Sequence, residues 1–145
     1  GGETCSVDSA QSVLRRGRAN LAANGIDPAD GHRFLVDDAT KVVPRLIRRG
    51  EKFDLIVLDP PTFGRAGGSV FRIEKNLPDL VSQCFELLEP GGSLLVSCNI
   101  SEWGEQDLQS LCRKAIGGGL CAMETGERPP EIPRGAVSCR IRKER

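Results

Sequence analysis

Apolar and polar positions alternate along this chain in segments that switch between strand-like and helix-like spacing. Residues 3–7 form a short extended run that ends at Asp8. Val13, Leu14, Leu21 and Ala22 then recur at helical spacing, with Ser9 as the expected N-cap and Asn24-Gly25 as a left-handed stop. Residues 33–36 predict a second strand, which runs into Asp37-Asp38. Residues 39–49 predict a helix with Val42, Val43, Leu46 and Ile47 on one face and Gly50 at its end. Pro44 is expected to delay or bend that helix, because proline removes an interior N–H donor.

The strongest strand signal is 53–58 (FDLIVL), a nearly continuous apolar run of the kind found where both faces of a parallel strand are covered. Asp59-Pro60-Pro61 ends it, and the glycine-rich, polar residues 62–69 predict a loop. Residues 76–88 predict a helix with Leu77, Leu80, Val81, Cys84, Phe85 and Leu88 inward. Pro90-Gly91-Gly92 is the expected turn into a second buried strand, 93–98 (SLLVSC). A helix over 107–116, ended by glycines 117–119, follows a break at residues 101–104. Residues 120–124 and 136–140 predict a final antiparallel pair around a proline-rich loop at 128–134. Regular alternation of strand and helix predicts one α/β domain over 1–145, a mostly parallel open sheet with an antiparallel final pair. Ligands are then expected at the carboxyl ends of the strands.

Composition changes this picture little. With 145 residues, 39% hydrophobic and 28% charged, the chain has the make-up of an ordinary globular domain. No apolar run reaches the ~20 residues of a membrane span, so no membrane partner is expected. Formal net charge is zero, which neither favours nor excludes a nucleic-acid partner. Local basic groups occur at Arg15, Arg16 and Arg18 and at Arg140, Arg142, Lys143 and Arg145. A solvated helix face is the default reading of the first. The six cysteines are widely and irregularly spaced with no CxxC pair, and His32 is the only histidine. Reduced thiols, a cytoplasmic location and no metal site are therefore expected.

At the carboxyl ends of the predicted strands stand Asp8, Asp37 and Asp38, Asp59 with its two prolines, and Cys98 with Asn99. A carboxylate in such a place accepts hydrogen bonds from both hydroxyls of a ribose, or it caps the following helix. Asp59-Pro60-Pro61-Thr62-Phe63 is more specific. The prolines stiffen the backbone directly after a buried strand, and Phe63 adds an aromatic face suited to a splayed-out base. The alternative is a rigid turn with Phe63 packed in the core.

Ser6-Val7-Asp8-Ser9, Asn20 through Asn24-Gly25, the stretch Phe34 to Ala39, Phe53 through Phe63, and Pro90 to Cys98 together resemble class I S-adenosylmethionine-dependent methyltransferases. Among them they look most like bacterial 23S ribosomal RNA methyltransferases, including the 5-methylcytosine enzymes. The resemblance covers roughly the first three-quarters of the chain, and Asp59-Pro60-Pro61-Thr62-Phe63-Gly64-Arg65 is its most distinctive piece. It implies a Rossmann-like fold, S-adenosylmethionine as cofactor and ribosomal RNA as partner. Asp8 with Ser9 would hold the ribose hydroxyls. Asp38, preferred over Asp37 because a small residue (Ala39) follows it, would accept from the adenine amino group. Asp59 and Pro60 would stand where the cofactor's methyl group meets the base, with Pro61, Thr62, Phe63 and Asn99 toward the substrate.

The resemblance also bears on reaction type. Carbon 5 of cytosine is a poor nucleophile, and a thiolate added to carbon 6 activates it. Family members with this chemistry carry a cysteine at the end of this strand in a Ser-Cys-Ser context. Here the context is Ser97-Cys98-Asn99, so Cys98 is either the nucleophile or a buried thiol. Cytosine C5 is the expected target, and a guanine-directed enzyme is the alternative implied by the asparagine.

The family's glycine-rich loop is not in this sequence, and the chain opens Gly1-Gly2-Glu3 without methionine. The chain is therefore expected to be a processed, trimmed or truncated segment, with the family's first strand, glycine-rich loop and first helix upstream. Loss of a central strand exposes two strand edges, so these 145 residues alone are expected to bind cofactor weakly and to be inactive. A non-catalytic Rossmann-like module is the competing reading of such a segment, and a small-molecule methyltransferase is a third.

Overall fold

The computed structural model describes residues 2–66, 69–100, 102–117, 121–124 and 136–144. The chain divides into two compact units, Gly1–Arg45 and Leu46–Arg145.

In the first unit, β1 (Thr4–Asp8) and β2 (His32–Val36) pair in parallel, from Thr4↔His32 to Asp8↔Val36. Between them runs α1 (Gln11–Ala23), which buries Leu14 and lays Gly17 and Arg18 on Phe34 of β2. The Arg18 guanidinium sits 4.8 Å from the ring centroid. Asn24 caps the helix, and Gly25 follows at φ 71°, the left-handed stop expected from Asn-Gly. The N-cap differs from expectation. Ala10 occupies it rather than Ser9, because the Asp8 carboxylate takes the Ala10 N–H at 2.7 Å and turns the chain one residue later.

Helix α2 (Ala39–Arg48) starts at its expected residue and contains Pro44. Val42, Val43 and Leu46 are buried, as their spacing predicts.

The second unit is built on a four-stranded sheet in the order β3-β6-β8-β7, comprising β3 (Phe53–Leu58), β6 (Leu88–Asn99), β7 (Cys121–Glu124) and β8 (Ala136–Lys143). β3 and β6 are parallel, while β8 runs antiparallel to both β6 and β7. The final antiparallel pair thus joins the sheet through its second strand. The loop expected at 128–134 lies outside the described residues. Among those residues β3 pairs only with β6, and β1 only with β2.

Two segments depart from the sequence pattern. Where a loop was expected, β4 (Phe63–Ala66) and β5 (Ser69–Arg72) form an antiparallel pair. Backbone ladder bonds need no apolar alternation, so the pattern held no sign of them. Pro90-Gly91-Gly92, the expected turn, is incorporated into β6. The register moves from Phe53↔Leu88 to Leu55↔Ser93, and Gly91 supplies φ 85°.

Helix α3 (Ile73–Glu86) begins three residues earlier than its apolar spacing suggested. Ile73 is buried with Leu77, Leu80, Val81 and Cys84, and the Asn76 side chain accepts the Arg72 N–H at 2.8 Å. Two lysines satisfy carbonyls at and just beyond its C-terminal end. Lys52 donates to Glu86 O at 2.7 Å, and Lys143 to Phe85 O and Leu88 O at 3.3 and 3.0 Å. Helix α4 (Glu105–Ala115) buries Leu108 and Cys112, and Asp107 Oδ2 accepts the Gly104 N–H at 2.8 Å. The core of this unit lies between α3, α4 and one face of the sheet, where Leu58, Leu94, Val96, Cys98, Val137, Cys139 and Ile141 are buried.

Candidate functional site

The parallel pair in the first unit brings Asp8 and Asp37 to one edge, where Asp37 N donates to Asp8 O at 3.1 Å. Each carboxylate there has local work. Asp8 Oδ1 accepts the Ala10 N–H. Asp38 Oδ1 accepts both the Thr40 N–H, at 2.9 Å, and the Thr40 hydroxyl, at 2.7 Å, which is the helix-capping alternative read from the sequence. Asp37 Oδ1 takes the Asp38 N–H, while Oδ2 pairs with Arg45 at 2.6 Å. The Asp38 backbone N–H, then Arg45, hold the Asp37 carboxyl below its ordinary range. These carboxylate acceptors fit the nucleoside part of the expected cofactor, whose hydroxyls and amino group donate. Asp8, whose Oδ2 carries no protein hydrogen bond among the described residues, is an acceptor suited to ribose hydroxyls. Ser9 is exposed beside it, and Ala39 opens α2.

The second edge lies at the carboxyl ends of β3 and β6. Their register ends at Leu58↔Val96, so the next residues, Asp59 and Ser97, face each other. The Ser97 hydroxyl donates to Asp59 Oδ1 at 2.6 Å. Pro60 and Pro61 have no N–H to continue a ladder, and the chain leaves the sheet there. Thr62 ties this exit back to β6, its hydroxyl donating to Asn99 O at 2.8 Å while its own carbonyl accepts the Ile73 N–H at 3.2 Å. Asp59, Pro61, Thr62 and Asn99 are exposed and Pro60 is half-buried. Phe63 is 57% exposed, so it is not the core residue of the rigid-turn alternative.

Cys98 belongs to the other side of the sheet. It follows Leu94 and Val96 on the core face of β6, opposite Val137, and is 2% exposed. Burial, with a smaller effect of the nearby Asp59 carboxylate, pushes its thiol up to about 11. Ser97 is the residue that reading the sequence for functional groups passed over. Strand alternation carried the signal, since Ser97 lies between the core-facing Val96 and Cys98 and must point the opposite way.

The remaining candidates are structural in placement. His32 sits at the amino ends of the first pair, with its Nδ1 2.8 Å from the Thr4 hydroxyl. Trp103 is half-buried and lines an open groove of about 720 Å3 with Pro78, Leu111 and Lys114, which none of residues 59–63 joins. None of the six cysteines is in a disulfide. Among the described residues no three His, Cys, Asp or Glu side chains gather as metal ligands, and no helix is long and apolar enough to cross a membrane.

Comparison with known proteins bears on the family and the fold. The family model described as S-adenosylmethionine-dependent methyltransferase matches residues 1–142. Ribosomal RNA large subunit methyltransferase I of Erwinia tasmaniensis is 38% identical over 98 residues, covering 67% of this chain and 24% of that protein. Ribosomal RNA large subunit methyltransferase K/L of Alcanivorax borkumensis is 38% identical over 97 residues, covering 66% of this chain and 13% of that protein. The match thus spans a quarter or less of the length of these relatives. A methyltransferase solved in complex with SAH superposes on 97% of this chain and 39% of its own, with a TM-score of 0.87 at 23% identity, a likeness of fold. An α/β fold of this kind, aspartates at the carboxyl ends of its strands and a family match over nearly every residue lead to one assignment: the chain belongs to the S-adenosylmethionine-dependent methyltransferase family.

Proposed function

We propose that this domain transfers a methyl group from S-adenosylmethionine to a base of large-subunit ribosomal RNA. The observation that carries the reading is the Asp59 edge. There a carboxylate held by Ser97, two prolines and a 57%-exposed Phe63 follow one another where the chain leaves β3. That strand buries Leu58 but leaves Leu55 and Val57 exposed, contrary to the expectation that both its faces are covered. An exposed aromatic ring beside a fixed acceptor suits a flat base that is stacked on one face and held by its edge. When bound, S-adenosylmethionine supplies an electrophilic methyl group. Asp8 and Ser9 hold its ribose, and Asp38 beside Ala39 takes the adenine amino group. Asp59 and Pro60 line the methyl-transfer end, while Pro61, Thr62, Phe63 and Asn99 receive the base. The names of the two ribosomal RNA relatives support the RNA partner.

The atom methylated turns on Cys98. Cytosine C5 chemistry requires its thiolate to add to carbon 6. A thiol 2% exposed on the core face, pushed up to about 11, is poorly disposed to that attack. This placement favours the guanine-directed alternative, which needs no protein nucleophile, over cytosine C5.

The test is transfer of labelled methyl groups to unmodified ribosomal RNA by the full-length protein, with nucleoside analysis of the product. The Asp59→Ala and Cys98→Ala variants are assayed beside it. We expect a methylated guanosine, strong loss with Asp59→Ala and retention with Cys98→Ala. Methylcytidine that disappears with Cys98→Ala would restore the cytosine C5 reading. Absence of any methyl transfer to RNA would support a non-catalytic module or another acceptor.

A further inference from the structure

Aspartates at turns in this protein share a habit. Asp8, Asp27 and Asp38 each fold the carboxylate back onto the backbone N–H two residues ahead, at 2.7, 2.8 and 2.9 Å. Asp37 takes the N–H of the very next residue, at 2.8 Å. These are the local side-chain-to-backbone bonds that aspartate makes whenever a donor is in reach. Asp59 is followed by Pro60 and Pro61, and neither ring nitrogen carries a hydrogen. Both local donors are therefore removed at one position. The carboxylate turns across to the neighbouring strand instead and meets the Ser97 hydroxyl at 2.6 Å.

We infer that Ser97 is a positioning residue for Asp59, and that the two prolines withhold the backbone N–H groups that would otherwise draw the carboxylate inward. The inference rests on the reading of the Asp59 edge as the base-binding site. Ser97 donates to Oδ1, which leaves Oδ2 to accept an N–H from the target base. Exocyclic amines of guanine, cytosine and adenine offer such a donor on the base edge, whereas uracil offers only its ring N3–H. Ser97 can do this because β3 and β6 are in a register that sets it opposite Asp59. Its side chain points away from the core that holds Val96 and Cys98.

The test compares Ser97→Ala, Ser97→Thr and Pro61→Ala in the full-length protein. Ser97→Ala should lower kcat for methyl transfer to ribosomal RNA by roughly 10- to 100-fold while leaving KM for S-adenosylmethionine unchanged. Ser97→Thr keeps the hydroxyl and should restore most of the rate, a rescue that a purely structural role for Ser97 does not predict. Pro61→Ala supplies an N–H two residues past Asp59, and should cost activity with little change in unfolding midpoint. Crystal structures of the variants give a readout that does not depend on turnover. The Asp59 carboxylate should leave its present position in Ser97→Ala, and in Pro61→Ala it should fold back onto residue 61. An unmoved carboxylate in both variants overturns the inference, as does an undiminished rate in Ser97→Ala. If the wild-type protein methylates no RNA, the functional reading fails while the variant structures still decide the role of Ser97.

Discussion

Replacing Gly92 by alanine tests whether the β3–β6 junction sets the geometry of the Asp59 edge. A Cβ at position 92 would lie 2.9 Å from Glu89 O, 3.1 Å from Asp54 O and 3.2 Å from Phe53 O, where ordinary contact begins at 3.4 Å. All three neighbours are backbone carbonyls, so relief requires chain movement and not a change of rotamer. Overpacking of this kind costs about 1–3 kcal/mol. For a mid-range clash of about 2 kcal/mol, less the about 0.4–1 kcal/mol that alanine recovers by restricting the unfolded chain, the net loss is about 1–1.6 kcal/mol. With a urea m-value of about 2 kcal/mol per molar, the unfolding midpoint should fall by roughly 0.5–1 M at unchanged m. Equilibrium urea unfolding followed by circular dichroism measures this directly. The clash sits where the register moves from Phe53↔Leu88 to Leu55↔Ser93, upstream of Asp59 and Ser97 on the two strands. Methyl transfer should therefore fall with stability, through loss of the Ser97–Asp59 bond. Gly50→Ala is the control. Position 50 has open space but φ 68°, so the substitution should cost about 1 kcal/mol from left-handed backbone alone and leave the Asp59 edge intact. A Gly92→Ala protein as stable as wild type would refute the reasoning, because the Glu89–Gly92 segment of β6 would then be free to yield.

Two further predictions concern titration. With its thiol pushed up to about 11, Cys98 should resist iodoacetamide at neutral pH in the native protein, and its labelling rate should climb only as pH approaches that value. Rapid native labelling of Cys98 at pH 7 would mean an accessible thiolate and would revive the nucleophile reading. Asp37, whose carboxyl is held below its ordinary 3.8, should contribute stability that is fully present above pH 3.8 and lost as pH falls through its lower folded value. Asp37→Asn should accordingly be less stable than wild type at pH 7. Acid unfolding curves should show that difference shrinking below pH 3.8, and a difference that persists unchanged there would exclude the proposed cause.

Particular residues mark where sequence reading ended. Ser9 had the side chain of an N-cap, but the Asp8 carboxylate captured the Ala10 N–H and Ala10 became the cap. Two residues of similar local chemistry competed for one turn, and propensity does not rank such competitors. The β4–β5 pair is held by backbone ladder bonds in a glycine-rich stretch without alternation, so periodicity had nothing to register there. Cys98 was legible as a cysteine at a strand end, and its direction followed from its neighbours. A residue in phase with buried Leu94 and Val96 faces the core.

Sequence alone determined the order of the helices and of the strands other than β4 and β5, the strand ends where polar chemistry gathers, and the Asp59-Pro60-Pro61 exit. These follow from local rules: period, punctuation and the missing proline N–H. Tertiary structure decided which groups meet. The insertion of β8 beside β6, the register that sets Ser97 against Asp59 and the burial of Cys98 all depend on pairing across many residues. Pairing energy is shared over whole strands, so a single chain read residue by residue carries the partners' identities without carrying their register.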